Sequence, residues 1–342
     1  MNGFILLIGI AVLFMCLLGL FSCNSESPEE ESSNTTLLSA TDARGKSVSL
    51  SSPAKRTVVL YQGALDGLYM LGAEKSLVGI QHNIYTNPET FKYFGLLDPR
   101  IARREIAAPG NWENSTNLES VVALKPDLVI MASGQSGAIE ILESFGIAVF
   151  AVSPSNNEQL YEELLGIGIL TGTESRAREL LGFTETKLLE IREKTSHINK
   201  KKKVYYAWSG GRIYSTSGRS SRMHECFDLA GVENACPFDI DTPNINPESL
   251  IAWDPDIMLL WNSKQEDLLN ARELSSMRAI AEKNIHVFEP AFFYDPHTLK
   301  IMYMALELHE VAYGDNPELD LDEFRKEIMT GLYEEKAKQL FL

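Results

Sequence analysis

The sequence predicts an α/β protein with two Rossmann-like lobes, each built on a mainly parallel sheet, and a single long α-helix between them. Residues 119–130 and 248–259 carry this prediction, because they share Glu, Ser, Ala, Pro and Asp at matching positions. The 342 residues also exceed what one hydrophobic core usually supports. Between the two stretches, apolar residues recur at helical spacing. The sequence therefore favours duplicated architecture over chance similarity of two short segments.

Each copy of the repeated stretch reads as a short helix followed by a buried strand. The helix is expected to end before Pro126 or Pro255, because the residue before a proline is disfavoured in the α conformation. The apolar residues after each Pro-Asp pair are typical of a strand buried on both faces, as in parallel sheets. The same unit is thus predicted in both lobes.

The first lobe is assigned to residues 40–172. Its other elements are a hairpin over 41–50 that turns at Gly45, a strand over 57–61, a helix over 63–72, a strand over 77–80, a helix over 136–145, a strand over 147–152 and a helix over 155–170 opened by a capping box of Ser155 and Glu158. Residues 81–117 are rich in Tyr, Trp, Asn and Pro, which predicts long loops at strand ends, where open α/β sheets bind ligands.

A linker helix is assigned to 173–197 and the second lobe, with its C-terminal helices, to 198–342. Thr173 is the predicted cap of the linker helix. The second lobe is expected to contain a strand over 204–208, a helix over 221–230, a helix over 266–273, a strand over 286–288, a helix over 297–313 and surface helices over 320–340. The glycine-rich residues 209–219 lack the Gly-Lys-Ser/Thr of a phosphate-binding loop.

Charge and motifs limit the functional classes. A formal net charge of -16 leaves no basic footprint for nucleic acid, so none is expected as a partner. The chain shows no nucleophile–base set and no paired carboxylates at a spacing typical of an active site, so an enzyme is not expected. No cofactor is predicted.

The N-terminus carries an export signal. Residues 4–21 form one apolar run that ends at Ser22-Cys23, which resembles a bacterial lipoprotein signal. The resemblance implies a signal peptide over 1–22, a lipidated Cys23, a flexible acidic tether over 23–39 and an extracytoplasmic, membrane-anchored protein. A transmembrane anchor is the alternative, since about 18 apolar residues approach the lower limit for a span and the signal lacks Lys or Arg.

Two cysteines fall within the predicted fold. Cys226 and Cys236 could form a small disulfide in an oxidising compartment. Two buried free thiols are the alternative, because Cys226 falls on the apolar side of a predicted helix.

Together, these residues resemble a known family. Asn117-Leu118-Glu119 followed by Leu124 to Ile130, with Tyr214 to Gly218 ahead of Ala230 to Asn234, is similar to the helical-backbone substrate-binding proteins of ABC importers. That family includes the ferric-siderophore, haem and cobalamin binding proteins. The resemblance spans about residues 40 to 315. It implies a ligand cleft between the lobes, and delivery of the ligand by a monomeric binding protein to a permease dimer with a cytoplasmic ATPase.

The resemblance also gives the repeated glutamates a role. One surface Glu per lobe docks on permease arginines in the family, and those positions match Glu119 and Glu248. Two carboxylates on equivalent helices could meet two symmetry-related basic pockets. The alternative is that each merely favours its helix N-terminus through the helix dipole.

The expected ligand is a partly planar, partly anionic metal chelate, because aromatic rings stack on planar ligands and arginines bind anions in a bidentate manner. The candidate ligand-binding residues are Tyr61, Gln62, His82, Tyr85, Trp112 and Ser133 in the first lobe, and Trp208, Arg212, Tyr214, Arg219, Arg222, Trp261, Phe293, Tyr294 and His297 in the second.

Several alternatives stay open. Direct metal binding would need His82, His224 and His297 to converge. An oxyanion such as molybdate could be held by the same arginines, and haem could take Tyr85 or His297 as an axial ligand. A chelatase-like enzyme is the rival from another class, and a surface lipoprotein that only captures ligand is a further one.

Overall fold

The computed structural model describes residues 37–110, 117–208, 210–289, 291–314 and 320–340. They form two separate parallel sheets with helices packed against them, and a two-stranded hairpin before the first sheet. This arrangement confirms the α/β fold class with parallel sheets. The signal peptide, most of the tether, Cys23 and Trp112 lie outside the described residues.

The first sheet has the strand order β5-β4-β3-β6-β7 and every neighbouring pair in it is parallel. The elements of this half are β1 (Leu38–Thr41), β2 (Ser47–Leu50), β3 (Thr57–Val59), α1 (Gln62–Met70), β4 (Leu77–Gln81), α2 (Asn83–Thr86), α3 (Pro88–Leu97), α4 (Pro99–Ala102), β5 (Ala107–Gly110), α5 (Leu118–Ala123), β6 (Leu128–Ala132), α6 (Ser136–Ser144), β7 (Ala148–Val152) and α7 (Asn157–Thr171). A 3-10 turn at Glu74–Ser76 precedes β4.

The second sheet has the order β11-β10-β8-β9 and is also parallel. The elements from the long helix onward are α8 (Glu174–Thr195), β8 (Lys203–Ala207), α9 (Arg222–Ala230), β9 (Glu233–Asn234), α10 (Pro247–Trp253), β10 (Ile257–Trp261), α11 (Gln265–Leu269), α12 (Arg278–Ala281), β11 (Ile285–Phe288), α13 (Ile301–Tyr313), α14 (Leu321–Tyr333) and α15 (Ala337–Leu340). Further 3-10 turns lie at Arg272–Leu274, Ala291–Tyr294 and Glu334–Lys336.

Alternation along the strands divides the core into layers. In β6, Leu128 and Ile130 belong to the largest apolar cluster, while Val129 and Met131 belong to a separate cluster on the opposite face. Strand β10 divides in the same way, with Ile257 and Leu259 in the largest cluster. Because successive strand residues point to opposite faces, each sheet is covered on both sides, as parallel sheets require.

The repeated stretch forms the same structure in both halves. Residues Lys125 and Asp254, each just before a proline, adopt positive φ angles of 48° and 41° and end their helices. The aspartate after the proline then fixes the neighbouring strand. Asp127 accepts backbone N–H bonds from Lys55 and Arg56, at 2.8 and 3.0 Å, and Asp256 accepts one from Lys203 at 2.8 Å. Each Pro-Asp turn thus fixes the start of the central strand beside it.

Helix α8 occupies the predicted place between the two halves and has 22 residues. At 1.5 Å per residue it is about 33 Å long. It packs against α7 of the first half and against α9, α13 and α14 of the second. Its predicted cap, Thr173, occupies the N-cap position without a side-chain cap bond. The role of α8 as the single connection between lobes, and the lobe boundaries at 40–172, 173–197 and 198–342, stay predictions.

Two sequence expectations are corrected. The described part of 81–117 is not a long loop, since it contains α2, α3, α4 and β5; Asn87 and Asp98 cap α3 and α4, each before a proline at the first helical position. Asn156, not Ser155, caps α7. The C-terminal helices pack on the surface as expected, since α14 exposes Glu323 and Lys326 on one face and buries Leu332 and Tyr333 on the other.

In the described ranges, no helix is long and apolar enough to cross a membrane.

Candidate functional site

A chain of cavities lies at the carboxyl ends of the strands in both sheets. The Gln62 cavity, of about 230 Å³, is lined by Gln62 and Asn83 from the first half and by Trp261 and Phe292 from the second. Trp261 also lines the Trp208 cavity, of about 170 Å³. The ends of strands from two α/β sheets therefore face a shared cleft, which is where such sheets bind ligands.

The Trp208 cavity is lined by aromatic, hydroxyl and charged side chains. Trp208 directly follows β8, and Trp261 ends the adjacent β10, so the strand register sets both indoles at the same level. The Trp208 indole nitrogen donates to the carbonyl of Thr216 at 3.1 Å, which fixes the orientation of the ring. Asp295 and His297 face the same space, and the backbone N–H of His297 donates to Asp295 Oδ1 at 2.9 Å.

The Tyr61 cavity shares His297 with the Trp208 cavity and is small, about 20 Å³. Its lining is mainly apolar, with Leu160, Leu164 and Ile167 of α7 opposite Tyr61. Burial raises the pKa of Tyr61, and the carboxylates of Asp295 and Glu163 act in the same direction, so its hydroxyl is a neutral donor.

Glu163 is a buried carboxyl in the wall of the Tyr61 cavity. Its side chain is 6% exposed, and Oε1 accepts a hydrogen bond from the backbone N–H of Ser153 at 2.6 Å. Burial raises its pKa to about 7, against the lowering effects of that hydrogen bond and of Arg222. Glu163 also lines the Ser133 cavity, a polar cavity of about 770 Å³ between α7 and the β1–β2 hairpin.

Five of the predicted ligand residues come together in this chain of cavities. They are Tyr61, Gln62, Trp208, Trp261 and His297. They lie at strand ends or, for His297, in the segment before α13, and their role in ligand binding stays a prediction.

The other predicted ligand residues do not line these three cavities. Ser133 lines the separate Ser133 cavity. His82, Arg212 and Arg219 are exposed. Tyr85 donates to the carbonyl of Ile106, and Tyr214 donates to Glu273. Phe293 and Tyr294 pack against aromatic rings, those of Tyr93 and Phe288 respectively. Arg222 is buried beside the cavities, and its contacts are described below.

Other residues of the cleft were missed. Asn83 and Phe292 line the Gln62 cavity, and Asp295 lines the Trp208 cavity. The sequence does contain a pattern that indicates a buried carboxyl at Glu163. This residue lies on the same helical face as Leu160 and Ile167 and is the lone carboxyl in that apolar stripe.

The two repeated glutamates occupy equivalent positions away from the cleft. Glu119 is the second residue of α5 and Glu248 the second of α10, and both are exposed. Each helix is capped by an asparagine whose side chain accepts from the residue after the glutamate. The carboxylates themselves are therefore not needed as caps.

The disulfide alternative is not realised, because Cys226 and Cys236 are both buried free thiols. Cys226 lies near Tyr206, and Cys236 lies near Tyr205. Successive residues of a strand face opposite sides of the sheet. The two thiols thus lie on opposite sides of β8.

Within the described part of the chain, no three His, Cys, Asp or Glu side chains are grouped as a metal ion would require.

Comparison with known proteins gives a consistent pattern. A family model described as periplasmic binding protein matches residues 57–291. An uncharacterized ABC transporter substrate-binding lipoprotein of Bacillus subtilis, YvrC, is 24% identical over 293 residues, or 82% of this chain and 88% of that protein. A cobalamin-binding protein of Halobacterium salinarum is 25% identical over 225 residues, which are 64% of this chain and 57% of that protein.

A solved structure has a similar fold. The molybdate periplasmic binding protein MolA of Haemophilus influenzae, bound to molybdate, matches with a TM-score of 0.73 and 20% identity. The match covers 86% of this chain and 97% of MolA.

Proposed function

The chain belongs to the periplasmic binding protein family, and from this premise we propose that it captures a metal chelate outside the cytoplasm and delivers it to an ABC importer. It is a substrate-binding protein of an ABC transporter. The proposed chelates are a ferric siderophore, haem or a cobalamin-like corrinoid. The observation that carries the proposal is the chain of cavities between the two sheets.

The shape and lining of the cleft support a chelate. The Gln62 and Trp208 cavities together offer about 400 Å³, within the usual range for small-molecule sites. Trp208 and Trp261 present indole faces suited to a planar or apolar ligand surface. Gln62 and Asn83 add amide groups that can fix the ligand's orientation. The cobalamin-binding relative is a precedent for a corrinoid ligand.

A second candidate is an oxyanion. MolA has a similar fold and is bound to molybdate. In this chain the buried Arg222 is the observation that favours it. A chelatase-like enzyme would instead be revealed by turnover of a tetrapyrrole.

Delivery to the importer is proposed to use Glu119 and Glu248. Both are exposed at equivalent positions on the two halves. The partner is a permease dimer with a cytoplasmic ATPase. Lipidation of Cys23 would hold the protein at the membrane and raise its concentration near the permease. Replacement of Cys23 by Ser is expected to release the protein into the medium or the periplasm.

The ligand can be identified on protein purified from its own host. Native mass spectrometry and an absorption spectrum are expected to report a bound chelate by its mass and colour. Absorption titration with the identified chelate then tests the site. Trp208→Ala and Trp261→Ala should each weaken binding about fivefold or more, since loss of a stacking indole costs about 1–3 kcal/mol by analogy with base stacking.

The matched control is Trp253→Ala. Trp253 packs edge-on against Phe238, with ring centroids 5.6 Å apart, and lines none of the three cavities. Equal weakening by all three substitutions would contradict the assignment of the cleft. Failure to bind any siderophore, haem, corrinoid or oxyanion would contradict the function.

A further inference from the structure

Arg222 is a buried cation whose two terminal guanidinium nitrogens lack hydrogen-bond partners among the described residues. Its side chain is 1% exposed, and Nε donates to the carbonyl of Pro296 at 2.7 Å. Nη1 and Nη2 are both buried, and neither hydrogen-bonds to any residue that the structure describes. Buried charges in proteins are normally paired, because desolvation of an unpaired ion is costly.

The guanidinium lies in the wall between two cavities of the cleft. Pro296, which accepts from Nε, lines the Trp208 cavity, as do Ser221 and Met223 on either side of Arg222 in the chain. Tyr61 and Glu163, in the Tyr61 cavity, both sense the positive charge of Arg222. The unpartnered edge therefore lies close to both cavities, although Arg222 is not itself among the residues that line either of them.

We propose that the Nη1–Nη2 edge of Arg222 is an anion subsite, to which the ligand presents a carboxylate or an oxyanion. This inference rests on the proposed function and names the chemical class of ligand. Two neighbouring guanidinium nitrogens match two oxygens of an anion in a planar, bidentate contact. The hydroxyl of Tyr161, also buried without a hydrogen bond to a described residue and within electrostatic range of Arg222, offers another donor.

The neighbouring acids predict a proton change on binding. Glu225, Asp295 and Glu163 act electrostatically with Arg222 and would repel an incoming anion. Glu163 has its pKa raised to about 7 by burial, so it can take up a proton as the anion binds. An anion on Arg222 is thus expected to bind more tightly at pH 6 than at pH 8, since below about pH 7 Glu163 is neutral.

The test uses the full chain with two probes, sodium molybdate and ferric citrate. Binding is followed by quenching of the intrinsic tryptophan fluorescence, to which Trp208 and Trp261 of the cleft contribute. Wild-type protein is expected to bind at least one probe, and Arg222→Gln to weaken that binding about 30-fold or more. Molybdate binding alone indicates an oxyanion ligand, and ferric citrate binding alone indicates a carboxylate chelate.

Two further variants separate charge, geometry and folding. Arg222→Lys keeps the charge and loses the two-nitrogen edge, so intermediate weakening is expected. If Arg222→Gln does not fold, the affinity of Arg222→Lys for the probe shows whether Arg222 binds the anion. Arg178→Gln is the control, since Arg178 is an exposed residue of α8 paired with Glu174; it should bind as the wild type does.

Three results would overturn the proposal. The first is that the wild type binds neither probe. The second is that the wild type and the Arg222 variants bind a probe equally well. The third is that crystals soaked with molybdate show only water beside Nη1 and Nη2. Equal binding of cobalamin by wild type and Arg222→Gln, with no anion bound, would remove the anion subsite and leave the proposed function standing. Absence of any chelate or anion binding would remove both.

Discussion

Lys300 Nζ lies 3.0 Å from Asp66 Oδ2, and neither side chain is exposed to solvent. The pair joins α1 of the first half to the residue before α13 of the second. The other oxygen, Asp66 Oδ1, accepts from the hydroxyls of Tyr93 and Tyr333, at 3.0 and 2.7 Å. Lys300 also donates to the carbonyl of Phe292 at 2.7 Å. One buried ion pair thus connects both halves and the C-terminal helix α14.

Removal of one partner of this pair should be strongly destabilising. Asp66→Asn leaves the Lys300 ammonium buried without a countercharge, which typically costs about 3–5 kcal/mol of unfolding free energy. Burial already lowers the pKa of Lys300, so the ammonium depends on Asp66. The double variant Asp66→Asn, Lys300→Met removes both charges and should recover part of the loss. Urea denaturation measures each free energy.

The exposed ion pair of Arg103 with Glu105 supplies the control. Glu105→Gln should leave the urea midpoint unchanged, because exposed pairs contribute little. A midpoint for Asp66→Asn that matches the wild type would show that the buried pair does not hold the two halves together.

The C-terminal helix α14 is predicted to be part of the core. Leu332 is fully buried within the largest apolar cluster. Leu332→Ala should therefore cost about 2–5 kcal/mol, as for other large-to-small core substitutions. Leu189→Ala is the matched control, since Leu189 on α8 is 69% exposed and should change stability by less than about 0.5 kcal/mol. Equal effects in thermal or urea unfolding would place α14 outside the core.

Glu163 should make the protein less stable as the pH rises toward neutrality. Its pKa is raised from 4.5 to about 7 in the folded state, so the folded protein binds the extra proton between these values. Stability therefore falls with rising pH over that window, by at most about 3 kcal/mol at about 1.4 kcal/mol per pKa unit. Glu163→Gln cannot ionise and should not show this loss.

The measurement is the difference in unfolding free energy between wild type and Glu163→Gln from pH 4 to pH 8. Asp98 and Asp256 have lowered pKa values and act in the opposite direction, but they are common to both proteins and cancel. If the difference in unfolding free energy does not vary with pH, the Glu163 carboxyl does not have a raised pKa in the folded protein.

The Pro-Asp turns should contribute equally in both halves. Asp127→Ala removes the acceptor of the backbone N–H groups of Lys55 and Arg56, which are exposed and can turn to water, so the cost is about 0.5–1.5 kcal/mol. Asp256→Ala removes the acceptor of the Lys203 N–H and should cost a similar amount. Asp239→Ala, at an exposed loop position, is the control for urea unfolding. A neutral Asp127→Ala would show that the repeated aspartate does not fix the strand.

Local rules explain why the repeated stretch was predictable. A proline forces the helix to end, and a continuous apolar run requires a strand covered on both faces, so Pro126 and Pro255 define the unit without knowledge of the rest of the fold. Trp208 and Trp261 were predicted at the cleft for a similar reason, and both line the Trp208 cavity, while their contact with a ligand stays a prediction. Both lie at the carboxyl end of such a strand, where parallel sheets bring residues together.

The remaining assignments depended on long-range packing that a sequence pattern does not contain. Arg212, Arg219 and Arg222 look equivalent in the sequence, yet only Arg222 is buried, because it begins α9 and faces the segment before α13. Tyr333 looks like a surface residue of an acidic tail helix. Its hydroxyl reaches Asp66, a residue far away in the chain.

Charge reversal at Glu119 and Glu248 tests delivery to the importer separately from ligand capture. Both carboxylates are exposed and remote from the three cavities, so the Glu119→Arg, Glu248→Arg double variant should bind ligand as the wild type does. Against basic pockets on a permease dimer, two reversed charges would repel and abolish transport in cells. The control is Glu140→Arg, Glu266→Arg, which reverses one exposed charge on α6 and one on α11. Because both double variants change the net charge equally, unequal transport would report position rather than overall charge, and wild-type transport by the Glu119, Glu248 variant would exclude these glutamates as the docking contacts.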